Sequence, residues 1–131
     1  MVLERNEALI GIDCGASKVL IQSAKINPNR TIISKGRYCK EYVYSSHPDW
    51  DPNYQPTPID VQIKENNNQS ILIRRAERRQ GDIIVALLQD IIANISGSQI
   101  GICFPGIKDS KGVTILANGP RIPDLLTKLN K

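Results

Sequence analysis

Apolar and polar residues alternate with two different periods along this chain. Residues 8–12 form a continuous apolar run, and the segments 18–26, 31–34 and 37–44 are rich in β-forming residues. A continuous apolar run is typical of a strand that is buried on both faces, and a turn sequence between successive runs favours antiparallel pairing. The first third of the chain therefore predicts an antiparallel meander of three strands.

A helical period begins at residue 76 and continues to residue 95. Its apolar residues recur every three or four positions and form one wide stripe of Ile84, Leu87, Leu88, Ile91, Ile92 and Ile95. Gly81 is a poor interior residue for a helix, so Asp82 would cap the start if the helix begins late. The pattern predicts one long amphipathic helix after the meander.

The last third of the chain contains two further strand candidates and a short helix. Residues 99–104 predict a buried strand that ends at Pro105-Gly106, residues 113–117 a short strand, and residues 124–129 a final helix. Strands, a crossover helix and another strand indicate a single α/β domain, residues 1–131, with a mixed sheet.

Residues 45–58 differ from their surroundings because they contain four prolines in eleven positions, at residues 48, 52, 56 and 58. Prolines at this density exclude a helix or a central strand. Ile59, Val61 and Ile63 then alternate with polar residues, which is the period of a strand. Residues 65–69 would turn the chain and residues 70–74 would return it. We therefore predict an inserted loop and hairpin at about 45–75.

Composition excludes several classes of protein. The net charge of +4 is too small to indicate a nucleic-acid partner, and one Phe and one Trp exclude a surface of stacked aromatic rings. The apolar runs are too short for a secretory signal or a membrane span. Three widely spaced cysteines form neither a CxxC pair nor a Cys/His cluster, so we expect reduced thiols, no zinc and a cytoplasmic protein.

The turn between the first two predicted strands has the composition of a phosphate site. It reads Asp13-Cys14-Gly15-Ala16-Ser17-Lys18. Glycine lets the backbone approach a phosphate, consecutive N–H groups form an anion-binding concavity, and hydroxyl and ammonium groups add charge-assisted contacts. A carboxylate at a strand end can hold Mg²⁺ through water and a phosphate oxygen. These residue types also suit an ordinary hairpin turn, so both interpretations stay open on this segment alone.

A second segment makes the first more specific. Residues 100–106, Ile-Gly-Ile-Cys-Phe-Pro-Gly, are followed by Asp109, Gly112 and Asn118. Together the two segments resemble the N-terminal half of ROK-family proteins, which are repressors, uncharacterised reading frames and sugar kinases. The first is similar to the family's Asp-x-Gly-x-Thr-Lys turn, with Ser17 in place of threonine. The second is similar to its Gly-x-x-x-Pro-Gly stretch and to the Asn-Leu-Pro turn beyond it, with Gly119 in place of leucine. The resemblance covers residues 8–44 and 76–130.

The resemblance implies a fold, a function and a site. The fold would be a ribonuclease H-like lobe of the actin-like ATPase superfamily, and the function ATP-dependent phosphorylation of a sugar. Asp13 would hold Mg²⁺ through water. Gly15, Ala16, Ser17 and Lys18 would line the phosphate pocket of ATP, and Gly106 and Asn118 would contact sugar hydroxyls. On the residues alone, Pro105-Gly106 and Asn118-Gly119 are equally well explained as plain turns.

The family's catalytic aspartate has no counterpart in this sequence. In ROK kinases it lies in an Asn-Asp-Ala stretch on the strand after the last helix predicted here, and it removes the proton from the sugar hydroxyl. We therefore expect the chain to be inactive alone, with a homo-oligomer or a missing C-terminal lobe as partner. A non-catalytic sugar-sensing protein, or a fragment completed by another chain, remains an alternative. A coenzyme A precursor kinase would share only the first motif.

Overall fold

A four-stranded mixed sheet forms the centre of the fold. The computed structural model describes residues 9–29, 31–95 and 99–130. Its sheet contains β1 (Leu9–Cys14), β2 (Lys18–Ile26), β3 (Ile33–Val43) and β4 (Gln99–Cys103), in the order β3-β2-β1-β4. The three N-terminal strands pair antiparallel, and β4 pairs parallel with β1. The predicted meander, the following parallel strand and the α/β class with a mixed sheet are confirmed. The prediction that residues 99–104 form a buried strand is wrong for β4, because four of its five residues are exposed at one edge of the described sheet.

Strand β1 buries one face and not two. Ile10, Ile12 and Cys14 are buried in the core, whereas Gly11 and Asp13, which point the other way, are exposed. The prediction of a strand buried on both faces was therefore wrong for the described residues. The strand is half-buried because its large apolar side chains lie on one face, while Gly11 and Asp13 occupy the alternate positions on the other. Residue 8 lies outside the described residues.

The crossover helix α2 (Arg75–Ala93) packs its apolar stripe on the buried face of the sheet. Ile84, Leu88 and Ile91 are buried there. Because the helix begins at Arg75, Asp82 does not cap it, and Gly81 is a buried interior residue. A Cβ atom at Gly81 would lie 3.3 Å from Ile122 Cγ1, so this position is occupied by the smallest residue for reasons of packing. Residues 96–98, where the helix was predicted to end, lie outside the described residues.

The predicted hairpin within residues 45–75 is wrong, because residues Ile59–Asn67 form a helix, α1. Ile59 and Ile63 are each 44% exposed, whereas the polar Gln62 is fully buried. The helix places Gln62 and Glu65, three positions apart, toward the C-terminal segments that they bind. The apolar alternation at 59–63 therefore does not mark a buried strand face, since the contacts of the polar side chains decide the structure.

The C-terminal part packs along α2, where Ile122 lies close to Gly81 and the Lys128 carbonyl accepts from Gln89. Strands β5 (Ile107–Lys108) and β6 (Val113–Ile115) form a small antiparallel hairpin, and an isolated bridge joins Val113 to Ile122. The last helix, α3, comprises Leu125–Leu129. The predicted short strand and final helix are confirmed with narrower bounds. Among the described residues, no helix has both the length and the apolarity that crossing a bilayer requires.

Candidate functional site

A cavity of about 260 Å³ lies at the carboxyl ends of β1 and β4. In sheets with parallel strands, ligands usually bind next to the carboxyl ends of the strands. The cavity is bounded by the turn after β1, the segment after β4 and the segment after β6. Its lining consists of Gly15, Ala16, Ile84, Phe104, Pro105, Gly106, Leu116, Ala117, Asn118, Gly119 and Pro120. The volume is near the lower end of ligand pockets, roughly 300–1,000 Å³, so it suits a small molecule.

The turn after β1 presents backbone to this cavity. The Gly15 amide donates to the Lys18 carbonyl oxygen over 2.8 Å, and this bond closes the turn between β1 and β2. The Tyr44 amide donates to the Ser17 carbonyl over 3.0 Å and ties the same turn to the end of β3. Gly15 and Ala16 contribute to the lining, whereas Ser17 does not. The turn is therefore well ordered, with two of its four predicted phosphate contacts facing the cavity.

Gly106 forms the second wall of the cavity, at a position that only a residue without a side chain can occupy. Its φ of +94° is a conformation that side chains disfavour, and a Cβ atom would overlap the Ile115 carbonyl oxygen. The Lys108 ammonium donates to the carbonyls of Phe104, over 2.5 Å, and Gly106, over 3.0 Å. These bonds fix the bend that places Gly106 beside the cavity.

Asn118 lies on a segment whose first end is held by α1. The Gln62 amide group donates to the Leu116 carbonyl over 3.0 Å and accepts from the Leu116 amide over 2.8 Å. It also donates to the Thr57 carbonyl. Gln62 thus binds the main chain of Leu116 as a neighbouring strand would, and it sets the position of the cavity wall that carries Asn118.

The other end of this segment is held by Arg121, whose side chain is completely buried. Its guanidinium donates to both carboxylate oxygens of Glu77, over 2.9 and 3.0 Å, and to Glu65 over 3.0 Å. The backbone amide of Arg121 also donates to Glu77. Buried charges require such pairing, because desolvation is costly. The pKa of Glu65 is lowered, first by the Leu72 amide that donates to it and then by Arg121.

The structure divides the predicted phosphate-binding residues between two places. Gly15 and Ala16 line the cavity together with Gly106 and Asn118, which are about ninety and about one hundred positions away in the sequence. Asp13 lies on the exposed face of the sheet, in a shallow hollow with Gly11, Leu20, Gln22 and Cys103 among its neighbours. Of the residues that the resemblance assigns to phosphate and magnesium, the cavity is therefore lined by Gly15 and Ala16, and Asp13, Ser17 and Lys18 lie outside it.

Lys18 is engaged at the rim of that exposed face. Its ammonium lies 2.6 Å from a Glu41 carboxylate oxygen, and both side chains are about half exposed. The hydrogen bond to Glu41 and its charge raise the pKa of Lys18, so the ammonium stays protonated. Because exposed ion pairs contribute little to stability, an incoming phosphate could take the place of Glu41.

Asp13 provides a carboxylate for a metal ion at the carboxyl end of β1. In the described part of the chain, no group of three or more His, Cys, Asp or Glu side chains could hold a metal. Asp13 alone suits Mg²⁺ only if phosphate oxygens and water complete the coordination. The neighbouring Cys14 is not a ligand candidate, because burial raises the pKa of its thiol to about 12, with Asp13 and Cys103 adding to the shift.

Sequence reasoning missed the three side chains that position the cavity wall, Gln62, Glu77 and Arg121. One signal was present. Glu77 lies four positions before Gly81 and seven before Ile84, on the buried stripe of α2, and a carboxylate on such a stripe needs a buried partner. Nothing local to Arg121 identifies it as that partner, because the two residues are far apart in the chain.

His47 and the arginines at the start of α2 do not line the cavity. His47 is exposed, and its Nδ1 accepts from the Asp49 amide within the proline-rich loop. Arg75, Arg78 and Arg79 are exposed on α2. No protein-family model matches the chain, and no curated protein or solved structure matches it either.

Proposed function

We propose that the chain is the N-terminal lobe of an ATP-dependent sugar kinase of the ROK type, in which the cavity holds the sugar. One observation carries this proposal: Gly15 and Ala16 of the first motif line the same cavity as Gly106 and Asn118 of the second. The segments after β1 and β4 are neighbours because the two strands pair parallel, and Asn118 joins them from the segment after β6. Hydrogen-bonding groups from turns around a small, mainly apolar hollow are typical of sites for uncharged ligands.

The sheet order supports the finer fold assignment. Three antiparallel strands followed by a crossover helix and a strand parallel to the first are the arrangement that the resemblance implies for a ribonuclease H-like lobe. In this proposal α1 and the proline-rich segment are additions to that lobe, which hold the wall of the cavity from outside.

In the proposed reaction of the whole kinase, a sugar hydroxyl attacks the γ-phosphorus of ATP and its proton passes to the catalytic aspartate that the resemblance places outside these residues. The bond to the β-phosphate oxygen breaks, and ADP leaves. The amides at Gly15 and Ala16 would lie near the transferring group, and the Lys18 ammonium would exchange Glu41 for a phosphate oxygen. Asp13 would hold Mg²⁺, which neutralises charge on the phosphates when it is bound. Asn118 would orient the sugar.

A non-catalytic sugar-binding protein is the second candidate, and one observation favours it. None of the described residues that line the cavity has an ionisable side chain, so no general base faces the ligand there. Both candidates predict that the chain alone transfers no phosphate. Incubation with Mg–ATP and a panel of hexoses and N-acetylhexosamines should yield no sugar phosphate, and clear turnover would contradict both.

Calorimetric titration tests the proposal and separates the two candidates. A hexose or N-acetylhexosamine should bind the chain, and Asn118→Ala should weaken binding at least about tenfold, since it removes a hydrogen-bonding group from the cavity. Asn67→Ala, at an exposed position of α1, is the matched control and should bind like the original chain. Failure of every sugar to bind would overturn the proposal.

Mg–ATP provides the second arm of the same titration. A kinase lobe should bind Mg–ATP, and Lys18→Ala should weaken nucleotide binding without changing sugar binding, because Lys18 does not line the cavity. Sugar binding without any nucleotide binding would instead favour the non-catalytic protein.

A further inference from the structure

A second cavity adjoins the first. It has a volume of about 270 Å³ and is bounded by the proline-rich segment, by α2 and by residues 118–120. Ala16, Asn118, Gly119 and Pro120 line both cavities. The 118–120 segment is thus a wall common to the two, and a ligand bound in the first cavity would have the second as its immediate neighbour.

The lining of the second cavity has a distinct chemistry. The side chains of Trp50 and Tyr54 offer aromatic rings, and Asp51 and Asn118 offer a carboxylate and an amide. A sugar ring has an apolar face of C–H groups that packs on aromatic rings, and its hydroxyls donate to carboxylates. None of the described lining residues is cationic, and Asp51 would repel a phosphate or a carboxylate. The cavity therefore suits a neutral, hydroxyl-rich ring.

Contacts with the rest of the fold hold these groups in place. The Gln80 amide group accepts from the Asp51 amide over 3.1 Å and donates to the Asp51 carbonyl over 3.0 Å. The Asn53 amide donates to the Asp51 carboxylate over 2.9 Å. Trp50 stacks on the buried Tyr44, with ring centroids 5.0 Å apart. A site that is ordered before binding loses less conformational entropy when a ligand arrives.

We propose that the second cavity is a subsite for a second, uncharged sugar ring, so that the ligand of this chain is a disaccharide. One ring would occupy the first cavity, as in the proposed function on which this inference rests, and the other would pack against Trp50 with a hydroxyl on Asp51. The inserted proline-rich segment is then a determinant of ligand specificity, because it supplies Trp50, Asp51 and Tyr54.

The single tryptophan of the chain allows a direct test. Trp50 lines the second cavity and not the first, so a ligand that fills the second cavity contacts it directly. The probes are glucose and N-acetylglucosamine, with maltose, cellobiose and N,N′-diacetylchitobiose as dimers. At least one dimer should bind about tenfold more tightly than its monomer in calorimetry and should change the emission of Trp50. The monomers should bind without that change.

Asp51→Asn provides the decisive variant, because asparagine can still accept from the Asn53 amide and should leave the fold intact. The affinity for the dimer should fall about tenfold, and the affinity for the monomer should stay the same. Asp49→Asn, in the same segment but outside both cavities, is the control and should change neither affinity.

The outcomes separate this inference from the proposed function. If monomers bind but no dimer binds more tightly, or if Asp51→Asn weakens monomer and dimer equally, the second subsite is refuted and the sugar site in the first cavity stands. If no sugar binds, both are refuted. Dimer binding that depends on Asp51, even where monomer binding is too weak to detect, supports the second subsite.

Discussion

Arg121 places a positive charge inside the fold, and its neighbours are arranged to neutralise it. Glu77 binds it with both carboxylate oxygens, and Glu65 binds it from α1. The Leu72 carbonyl accepts a further hydrogen bond from the guanidinium over 3.1 Å. A buried ion pair adds little net stability over an apolar pair, but the loss of one partner leaves an uncompensated charge. Arg121 is therefore the residue whose environment is most sensitive to single substitutions.

Glu77→Gln should destabilise the fold by about 3 kcal/mol, because it leaves the Arg121 guanidinium buried with half of its counter-charge. Urea unfolding followed by circular dichroism measures the change. Asp82→Asn replaces an exposed carboxylate of the same helix and should have little effect. Equal stability of the two variants would show that the Arg121 pairing does not form. Combining Glu77→Leu with Arg121→Met should restore part of the stability that Glu77→Gln loses, since both completely buried charges are removed and Glu65 keeps its ion pair with Arg74.

At the scale of elements, α1 acts as a clamp on the cavity wall. Gln62 binds the Leu116 main chain, and Glu65 binds Arg121, so the helix contacts both ends of the segment that carries Asn118. The apolar residues of α1 contribute less, since Ile59 and Ile63 are partly exposed. Polar side chains and not an apolar stripe fix this helix against the fold.

Gln62→Ala should loosen the segment after β6. The two hydrogen bonds to Leu116 are lost and its amide becomes unpaired, so we expect hydrogen exchange at Leu116 to accelerate about tenfold or more. Gln89→Ala is the matched control, because Gln89 also donates from a helix to a backbone carbonyl, that of Lys128, but at an exposed position. An unchanged exchange rate at Leu116 in Gln62→Ala would contradict the clamp.

Acid should weaken the same clamp through Glu65. Its pKa in the fold is below the ordinary value of 4.5, so the stability it contributes is fully present above that pH and is lost as the pH falls through the lowered pKa. Glu65→Gln should therefore lose less stability between pH 5 and pH 3 than the original chain, in urea unfolding at each pH. Asp90→Asn, which removes an exposed carboxylate of α2, should retain the original acid dependence, and a Glu65→Gln profile that matches it would contradict the role of Glu65.

The pattern of apolar and polar residues predicts the strands and helices that apolar packing stabilises. It does not predict a helix that polar side chains hold in place. The three strands of the meander, α2 and β4 follow from apolar period and turn residues. The helix α1 does not, because the alternation at 59–63 indicated a strand while Gln62, a polar residue, makes the decisive contacts. The resemblance assigned Gly15 to a phosphate pocket and Gly106 and Asn118 to the sugar, and the structure places all three at one cavity. The resemblance did not indicate that Asp13 lies outside this cavity. Side chains alternate along a strand, so Asp13 points to the face opposite Cys14.

At the scale of the whole molecule, the two edges of the sheet differ. Among the described strands, β3 forms one edge and carries Lys35, Arg37, Lys40 and Glu41, whereas β4 forms the other and carries no charged residue. Charged side chains on an edge strand oppose pairing with another chain, and an uncharged edge permits it. The outer face beside β4 also exposes Leu20 and Ile102, each by about 40%.

We expect the chain to self-associate through β4, because this uncharged strand lies at one edge of the described sheet. Light scattering should show an average mass that rises with concentration, and Ile102→Lys should reduce this rise, because a lysine opposes pairing at the edge and covers the apolar outer face. Leu126→Lys, at a similarly exposed apolar position on α3, is the control and should leave association unchanged. A mass equal to that of a monomer at every concentration would contradict this expectation.

The central claim is that the two sequence motifs form one sugar-binding cavity. Amide chemical shifts measured during a titration with hexoses, N-acetylhexosamines and their dimers test it most directly. One ligand should shift the amides of Gly15, Ala16, Gly106 and Asn118 together, with a single binding curve, while amides of β3 stay unchanged. Shifts confined to one of the two motifs, or centred on another part of the fold, would contradict it.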